Sequence, residues 1–266
     1  MFINGKKVKF PRYSSGELKL KHDLLKGLIK NNTISILYNN DELNLFELIL
    51  IIKYYKNLGV EINLTLSYLP YQRMDHISEI EVTTLKLVAE LFNSLDLNNL
   101  AICEPHANID NFKNATKVSF VELILKKLEE QKQFSKETDI LFFTDKGSLK
   151  RYGHLGKHFI VGEKVRDKQT GLIASYELKG DLKSSGRIII IDDIISTGDT
   201  MICALEELQK QTKKPITIVA GHFEKNKYNK RLLKLEYVEK IYSTNSLTKR
   251  QSKKLKLFNV EELLYG

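Results

Sequence analysis

The stretch RIIIIDDIISTGDTM, residues 187–201, joins four consecutive isoleucines to two aspartates and a short loop of serine, threonine and glycine. A solidly apolar β-branched run predicts a strand buried on both faces, as in a parallel sheet covered by helices. Ligands of such sheets gather at the carboxyl ends of the strands. We therefore expect Asp192 and Asp193 to follow the strand and to lie at a ligand-binding edge.

The loop after this strand has the composition of a phosphate site. Backbone N–H groups, hydroxyls and the positive end of the next helix converge there, in Ser196, Thr197, Gly198, Asp199 and Thr200. Acids that accept from a sugar diol, followed by donors for its phosphate, predict a phosphoribosyl site. The alternative is an ordinary helix cap. A cap accounts for Asp199 or Thr200, but not for two acids directly after four isoleucines.

The rest of the chain alternates strand-like and helix-like segments, which predicts an α/β fold with mainly parallel sheets flanked by helices. The predicted strands are residues 33–38, 61–69, 100–103, 139–143, 158–161, 187–191, 216–221 and 238–243. The predicted helices are residues 42–57, 80–95, 119–132, 200–212 and 227–235. Residues 42–59 are apolar nearly all round, so we expect them to lie deep or against another subunit. The polar residues 129–139 are the best compositional candidate for a boundary between two halves.

Composition excludes several classes of function. The 266 residues carry a net charge of +9, but the lysines are scattered among acids, so we attribute the charge to general solvation and do not expect a nucleic-acid partner. An attraction for phosphate-rich ligands is the alternative reading. Two cysteines specify no disulfide framework, and the start MFINGKKVKF lacks the apolar core of a secretory signal. No apolar run reaches the ~20 residues of a membrane span, so we expect a cytoplasmic protein. P-loop, GxGxxG and HExxH patterns are absent.

Several segments resemble one family. IIIIDDIISTGDT closely resembles the phosphoribosyl-diphosphate loop of type I phosphoribosyltransferases and of ribose-phosphate diphosphokinases, the PRPP synthetases. Other segments resemble the synthetases in particular and follow in the same order over about residues 10–250: YLPYQRMDH (68–76), ICEPHANIDNF (102–112), FFTDKGSLKR (142–151), VGEKVRDKQTG (161–171), GHFEKNK (221–227) and STNSL (243–247). The resemblance implies two tandem phosphoribosyltransferase-like domains. Residues 1–117 would carry the ATP-site segments, and residues 118–266 the ribose-phosphate site.

The same resemblance implies a reaction and a metal. A PRPP synthetase transfers the β,γ-diphosphate of Mg-ATP to the anomeric hydroxyl of ribose 5-phosphate and releases AMP. One magnesium ion would be held by His106, which also contacts ATP, and a second by Asp145. Lys164 and Arg166 would be the catalytic cations, closing over the transferred group from a flexible loop.

The remaining ATP contacts are also implied by resemblance. Arg73 and Asp75 match the ATP signature. Tyr13, Ser15 and Glu17 match a loop that contacts adenine in a neighbouring subunit, so we expect a homo-oligomer, a dimer or a hexamer. Each residue alone has an ordinary alternative as a turn or a solvated side chain, and the ordered set is what favours function.

Departures from the family pattern limit what can be carried over. Met74 stands where the family usually has glutamine, the chain begins late, and residues 77–83 lack the family's basic residues, so its allosteric site is not expected here. Asp199 replaces a small residue. A carboxylate about 5 Å from a phosphate costs roughly 3 kcal/mol per unit charge at an effective dielectric near 20.

Two interpretations of Asp199 therefore stay open. It caps the helix and points away, or the acceptor is a ribose with an esterified 5-phosphate, such as ADP-ribose. Two further classes of function are alternatives: a phosphoribosyltransferase that consumes PRPP, which would not need the ATP signature, and a non-catalytic subunit associated with synthetases.

Overall fold

A computed structural model describes residues 1–39, 44–75, 82–166, 173–180, 182, 186–224, 226 and 229–266. The chain divides into two compact units, Met1–Val118 (unit 1) and Ser119–Gly266 (unit 2). No helix in the described part of the chain has the length and apolarity that crossing a bilayer requires.

Over its described residues, unit 1 is built on a six-stranded sheet in the order β2-β1-β3-β4-β5-β6. Strands β3 to β6 are parallel, while β1 and β2 pair antiparallel at one edge. The strands are β1 (Phe2–Ile3), β2 (Lys6–Lys7), β3 (Thr33–Tyr38), β4 (Glu61–Leu66), β5 (Asn99–Cys103) and β6 (Ala115–Val118). The helices are α1 (His22–Lys26), α2 (Leu45–Asn57) and α3 (Thr84–Asn93).

Helix α2 is less buried than its composition suggests. Its N-terminus is set by a reciprocal capping box between Asn44 and Glu47. One face packs into the core of unit 1, including Leu48 and Tyr55. The opposite face carries Phe46, which is 67% exposed, and Leu50, which is 40% exposed. The prediction that residues 42–59 lie deep is thus correct for one face of α2. Contact of the other face with another subunit stays a prediction.

Over its described residues, unit 2 has a seven-stranded sheet in the order β13-β12-β11-β10-β7-β8-β9, parallel except for the β8–β9 pair. The strands are β7 (Ile140–Phe143), β8 (His158–Arg166), β9 (Ile173–Gly180), β10 (Ile188–Ile195), β11 (Ile216–Phe223), β12 (Val238–Thr244) and β13 (Leu255–Phe258). The α-helices are α4 (Phe120–Glu130), α5 (Lys146–Tyr152), α6 (Asp199–Gln211) and α7 (Val260–Tyr265). The predicted fold class, two mainly parallel sheets flanked by helices, is confirmed.

The isoleucine run forms the central strand of unit 2. Ile188 to Ile191 are fully buried, as expected for a strand covered on both faces, and they pair in parallel with β7 on one side and β11 on the other. The strand does not end at residue 191, however. It continues through Asp192 and Asp193 to Ile195, because β11 extends alongside it to Phe223.

Three other local predictions are corrected. Residues 229–234 form a 3-10 helix rather than the predicted α-helix over 227–235, and residues 227 and 228 lie outside the described part. Helix α6 begins at Asp199, one residue before the predicted start. Strand β8 extends to Arg166, well past the predicted end at 161. It does so because β9, a strand that was not predicted from the sequence, pairs with it in antiparallel orientation. Lys164 and Arg166 therefore belong to a strand, while residues 167–171 of the expected loop are not described.

Candidate active site

Three acids of unit 2 meet where the pairing of two neighbouring parallel strands ends. Strands β7 and β10 pair up to Phe143 and Ile191. Beyond that point the chain after β7 turns into α5, and Thr144, Asp145, Asp192 and Asp193 occupy the carboxyl edge. We call these four residues the acid edge. The Thr144 hydroxyl lies 3.4 Å from Asp192 Oδ2, to which it donates a hydrogen bond across the two strands.

The paired aspartates have different environments because successive strand residues face opposite sides. Asp193 is 2% exposed and accepts a hydrogen bond from Arg151 Nη2 of α5 at 3.3 Å, as part of an ion pair. Asp192 is half-buried. Its pKa is raised well above the usual value by burial first, then by the charge and hydrogen bonding of Asp193 and by Asp145, which Arg151 only partly offsets. The carboxylates of the acid edge thus disfavour one another's ionisation.

Asp145 both begins α5 and contributes to the acid edge. Its Oδ1 accepts a hydrogen bond from the backbone N–H of Ser148 at 2.9 Å, in a reciprocal cap. Among the described residues no group of three or more His, Cys, Asp or Glu side chains could hold a metal by itself. Magnesium commonly takes one or two carboxylates and completes its shell with water and phosphate oxygens. Asp145 fits that kind of site, since a bound divalent cation would favour the ionised forms of both Asp145 and Asp192.

The loop at residues 196–200, here called the phosphate loop, leads directly into α6. Gly198 has φ 83°, a left-handed conformation that glycine adopts without a steric penalty, and it is the N-cap of the helix. The Ser196 hydroxyl donates to Glu224 Oε2 at 2.5 Å, and Asn226 Nδ2 donates to the Ser196 carbonyl at 2.8 Å. Residues after β11 therefore hold the start of the loop. Thr197 is exposed, and the side chain of Thr200 lies outside the described part.

Asp199 neither caps the helix nor stands alone. The cap position belongs to Gly198, so the expectation of a capping role is wrong. Asp199 lies in the first turn of α6 with its carboxylate 64% exposed, and its Oδ1 is 3.7 Å from Arg231 Nη1 of the 3-10 helix. The electrostatic cost that motivated an esterified acceptor assumed an unpaired carboxylate. A guanidinium at this distance lowers that cost.

The predicted catalytic cations lie on the β8–β9 hairpin. Lys164 is directly opposite Tyr176 in this antiparallel pair, and Arg166 is opposite Ile173; the side chains of Lys164 and Arg166 are not among those described. Tyr176 is buried, and its hydroxyl donates to the Thr144 carbonyl at 2.7 Å. Its pKa is strongly raised by burial and then by the charges of Asp145 and Asp192, so it stays a neutral donor. The hairpin is thereby joined to the acid edge.

In unit 1 two of the predicted ATP-site segments follow neighbouring parallel strands, β4 and β5. Gln72 is fully buried, and its Oε1 accepts a hydrogen bond from the His106 backbone N–H at 2.8 Å. The segment of Arg73 and Asp75 is thus brought against the segment of His106. Arg73 is exposed, and Asp75 and His106 are half-buried.

The predicted adenine loop lies on the surface of unit 1. Tyr13, Ser15 and Glu17 are exposed. Arg12 anchors the loop to the first turn of α2 through two hydrogen bonds to the Glu47 carboxylate, at 2.6 and 3.1 Å. The hydrogen bond from Arg12 is the main reason that the pKa of Glu47 is lowered. Reach into a neighbouring subunit stays a prediction.

Sequence reasoning did not assign several residues that the structure places at these sites: Thr144, Arg151, Tyr176, Arg231 and Gln72. Arg151 could have been assigned from the sequence, because it lies six residues after Asp145 in the segment 142–151 that resembles the synthetases. Gly162, directly after the predicted strand 158–161, was the available sign of a close approach by another residue, which the structure shows to be Tyr176. Nothing in the sequence pattern pointed to Arg231.

Comparisons with known proteins agree with this architecture. No family model matches the chain. Curated proteins named ribose-phosphate pyrophosphokinase are similar to it. The protein of Sulfurisphaera tokodaii is 29% identical over 231 residues, which cover 83% of this chain and 77% of that protein. The protein of Saccharolobus solfataricus is 28% identical over 188 residues, which cover 67% of this chain and 63% of that protein, so the chain spans less than two thirds of that relative.

A solved structure shares the fold. The phosphoribosylpyrophosphate synthetase of Mycobacterium smegmatis superposes with a TM-score of 0.70 at 20% identity, over 96% of this chain and 87% of that chain. The resemblance to PRPP synthetases read from the sequence is confirmed by these relatives. Their names also bear out the expectation of a pyrophosphokinase-type transferase, whereas none supports an ADP-ribose acceptor.

Proposed function

We propose that this chain is a PRPP synthetase, which transfers the β,γ-diphosphate of Mg-ATP to the anomeric 1-hydroxyl of ribose 5-phosphate and releases AMP. The observation that carries the proposal is the acid edge of unit 2, which immediately precedes the phosphate loop on the central strand. Carboxylates that accept from sugar hydroxyls, beside backbone donors at a helix start, suit a sugar phosphate.

In this reaction the oxygen of the anomeric hydroxyl forms a bond to the β-phosphorus as the bond to the bridging oxygen of AMP breaks, and the hydroxyl proton is released. Asp192 would accept from the ribose hydroxyls, and Asp193, held by Arg151, would fix the strand that presents it. Lys164 and Arg166 would place positive charge where the phosphoryl oxygens gain negative charge. One magnesium ion held by Asp145 and a second held by His106 would supply further charge neutralisation. His106, Arg73 and Asp75 would orient ATP.

Plain ribose 5-phosphate is the acceptor we propose. The case for an esterified phosphate rested on repulsion by Asp199, and the proximity of Arg231 weakens it. The names of the curated relatives point to ribose phosphate as well. A PRPP-consuming phosphoribosyltransferase is disfavoured because the Gln72–His106 contact joins two ATP-site segments that such an enzyme would not need.

The test is to incubate the purified chain with Mg-ATP and ribose 5-phosphate and to analyse the products by chromatography and phosphorus NMR. We expect equimolar AMP and a ribose phosphate with a new 1-diphosphate. Lys164→Ala should lower the rate at least ~100-fold, because oxyanion stabilisation of this kind contributes about 3–4 kcal/mol. Release of ADP in place of AMP, or faster turnover of ADP-ribose than of ribose 5-phosphate, would contradict the proposal.

A further inference from the structure

We infer that Tyr176 is a positioning residue for Lys164: its hydroxyl fastens the β8–β9 hairpin to the end of β7 and so sets the distance between Lys164 and the acid edge. The inference rests on the proposed function, because it assumes that Lys164 acts at this edge.

The hairpin leaves the sheet just before Lys164. Strand β8 pairs with β7 from His158 to Val161, and its register partners from Gly162 onward are in β9. β9 is the last strand of the sheet as described. The part of the hairpin that carries Lys164 therefore projects beyond β7, and its position depends on contacts other than the sheet ladder.

Tyr176 supplies such a contact from the position opposite Lys164. The two residues are register partners, so the backbone of one fixes the backbone of the other. From there the tyrosine side chain reaches back to the carbonyl of Thr144, the residue between the last residue of β7 and Asp145. The Thr144 hydroxyl in turn bonds Asp192. The Lys164 backbone is thus connected through Tyr176 and Thr144 to Asp192, by hydrogen bonds, and to Asp145, which follows Thr144 in the chain.

Gly162 makes room for this path. A Cβ at residue 162 would lie 1.8 Å from the Tyr176 hydroxyl oxygen and 2.3 Å from the adjacent ring carbon. The ring therefore crosses directly over the backbone of β8. Any side chain at residue 162 would displace the phenol from Thr144. The hydrogen bond from Tyr176 to Thr144 therefore requires glycine at residue 162.

A competing attachment exists on the exposed side of the hairpin, where Glu163 pairs with Lys146 of α5 at 3.2 Å and with Lys179 of β9 at 2.7 Å. Both lysines are mostly exposed, and exposed ion pairs contribute ~0–1 kcal/mol. The buried tyrosine bond is the stronger candidate for fixing the position of Lys164.

The test compares Tyr176→Phe with Tyr55→Phe. Tyr55 is a matched control because it is also buried and donates to a backbone carbonyl, that of Leu25, at 3.0 Å in unit 1. The first readout is hydrogen–deuterium exchange on the full chain without substrates. Tyr176→Phe should increase exchange at residues 162–166 several-fold while Tyr55→Phe leaves them unchanged. Equal exchange in both variants would overturn the inference.

The second readout is kinetic. Tyr176→Phe should lower kcat about tenfold, the effect of losing one buried hydrogen bond that acts on the transition state, with KM for ribose 5-phosphate nearly unchanged. In a Lys164→Ala background the same substitution should have no further effect, because its action passes through Lys164. A full additional tenfold loss there would refute the inference. A wild-type chain that releases no AMP would refute the proposed function instead. The exchange measurement would still show whether Tyr176 holds the β8–β9 hairpin in place.

Discussion

The Gln72 side-chain oxygen lies 2.8 Å from the backbone nitrogen of His106 and accepts its hydrogen bond inside unit 1. This contact ties the loop after β4 to the loop after β5. The second loop bends sharply, with Glu104 at φ 42°, before it reaches His106. Gln72 therefore fixes the backbone that carries a predicted ligand of Mg-ATP.

Replacing Gln72 by alanine should weaken Mg-ATP binding more than it weakens the fold. An unsatisfied buried N–H costs about 1–3 kcal/mol, so we expect KM for Mg-ATP to rise about 5- to 100-fold. Asn93→Ala is the control, because Asn93 also bridges two segments of unit 1 through its amide, accepting from the Lys113 N–H at 2.7 Å. It should lower the melting temperature and leave KM unchanged. Parallel increases in KM would contradict a specific role for Gln72.

Arg231 and Asp199 should act on the acceptor as a coupled pair. With Arg231→Ala the Asp199 carboxylate would face the proposed phosphate position without a counter-charge. Because both side chains are mostly exposed, such a pair contributes ~0–1 kcal/mol, so KM for ribose 5-phosphate should rise up to about fivefold. In an Asp199→Gly background the same Arg231→Ala change should have a much smaller effect. A double-mutant cycle on KM measures the coupling. Additive effects would show that the 3.7 Å proximity has no consequence for acceptor binding.

The ion pair of Arg151 with Asp193 should matter for stability. Arg151→Leu leaves a nearly fully buried carboxylate without its partner, which costs about 3–5 kcal/mol. Adding Asp193→Leu should restore much of the unfolding free energy, measured by urea denaturation, without restoring activity. Lys56→Met breaks the pair with Asp96, whose carboxylate is exposed to solvent, and should cost much less. An Arg151→Leu chain as stable as that control would refute the assignment.

The raised pKa of Asp192 predicts a stability profile with a definite sign. The folded state holds this proton more tightly than the unfolded state, so the unfolding free energy falls as the pH rises from about 4, the unfolded value, through the raised folded pKa. Asp192→Asn should therefore be more stable than the wild type at pH 8, with the difference shrinking toward pH 5.

Thermal unfolding of the ligand-free protein between pH 5 and 8 measures this difference. The Lys56 hydrogen bond lowers the pKa of Asp96, so Asp96→Asn should show a small effect of the opposite sign, a loss of stability at neutral pH. Asp192→Asn should also raise KM for ribose 5-phosphate roughly 10- to 100-fold, because hydrogen bonds to charged groups contribute about 1.5–3 kcal/mol. A variant that is both less stable and fully active would contradict both statements.

The sequence predicted those parts of the fold that depend on residues close together in the chain. A run such as Ile188 to Ile191 has no stable place except a strand covered on both sides, and strand–helix alternation then leaves mainly parallel pairing. The same locality made the edge strands hard to predict. β9 reads as a polar alternating segment, and the sequence pattern does not show that it pairs with β8 or that Tyr176 packs over Gly162.

The candidate site divides in the same way. One contiguous stretch of sequence contains Asp192, Asp193 and the phosphate loop, so these residues could be predicted together. The partners of these residues come from elsewhere in the chain. Arg151 and Arg231 are 42 and 32 residues from the acids that they face, and only the sheet order brings them together. Distances of that kind cannot be read from one sequence.

The ring of Tyr176 lying over Gly162 has an evolutionary consequence. Neither residue can change alone, because a side chain at 162 collides with the phenol, and a smaller residue at 176 leaves a void over the glycine. Homologous chains should therefore exchange the two positions jointly, bearing either this glycine–tyrosine couple or a larger residue facing a slimmer one.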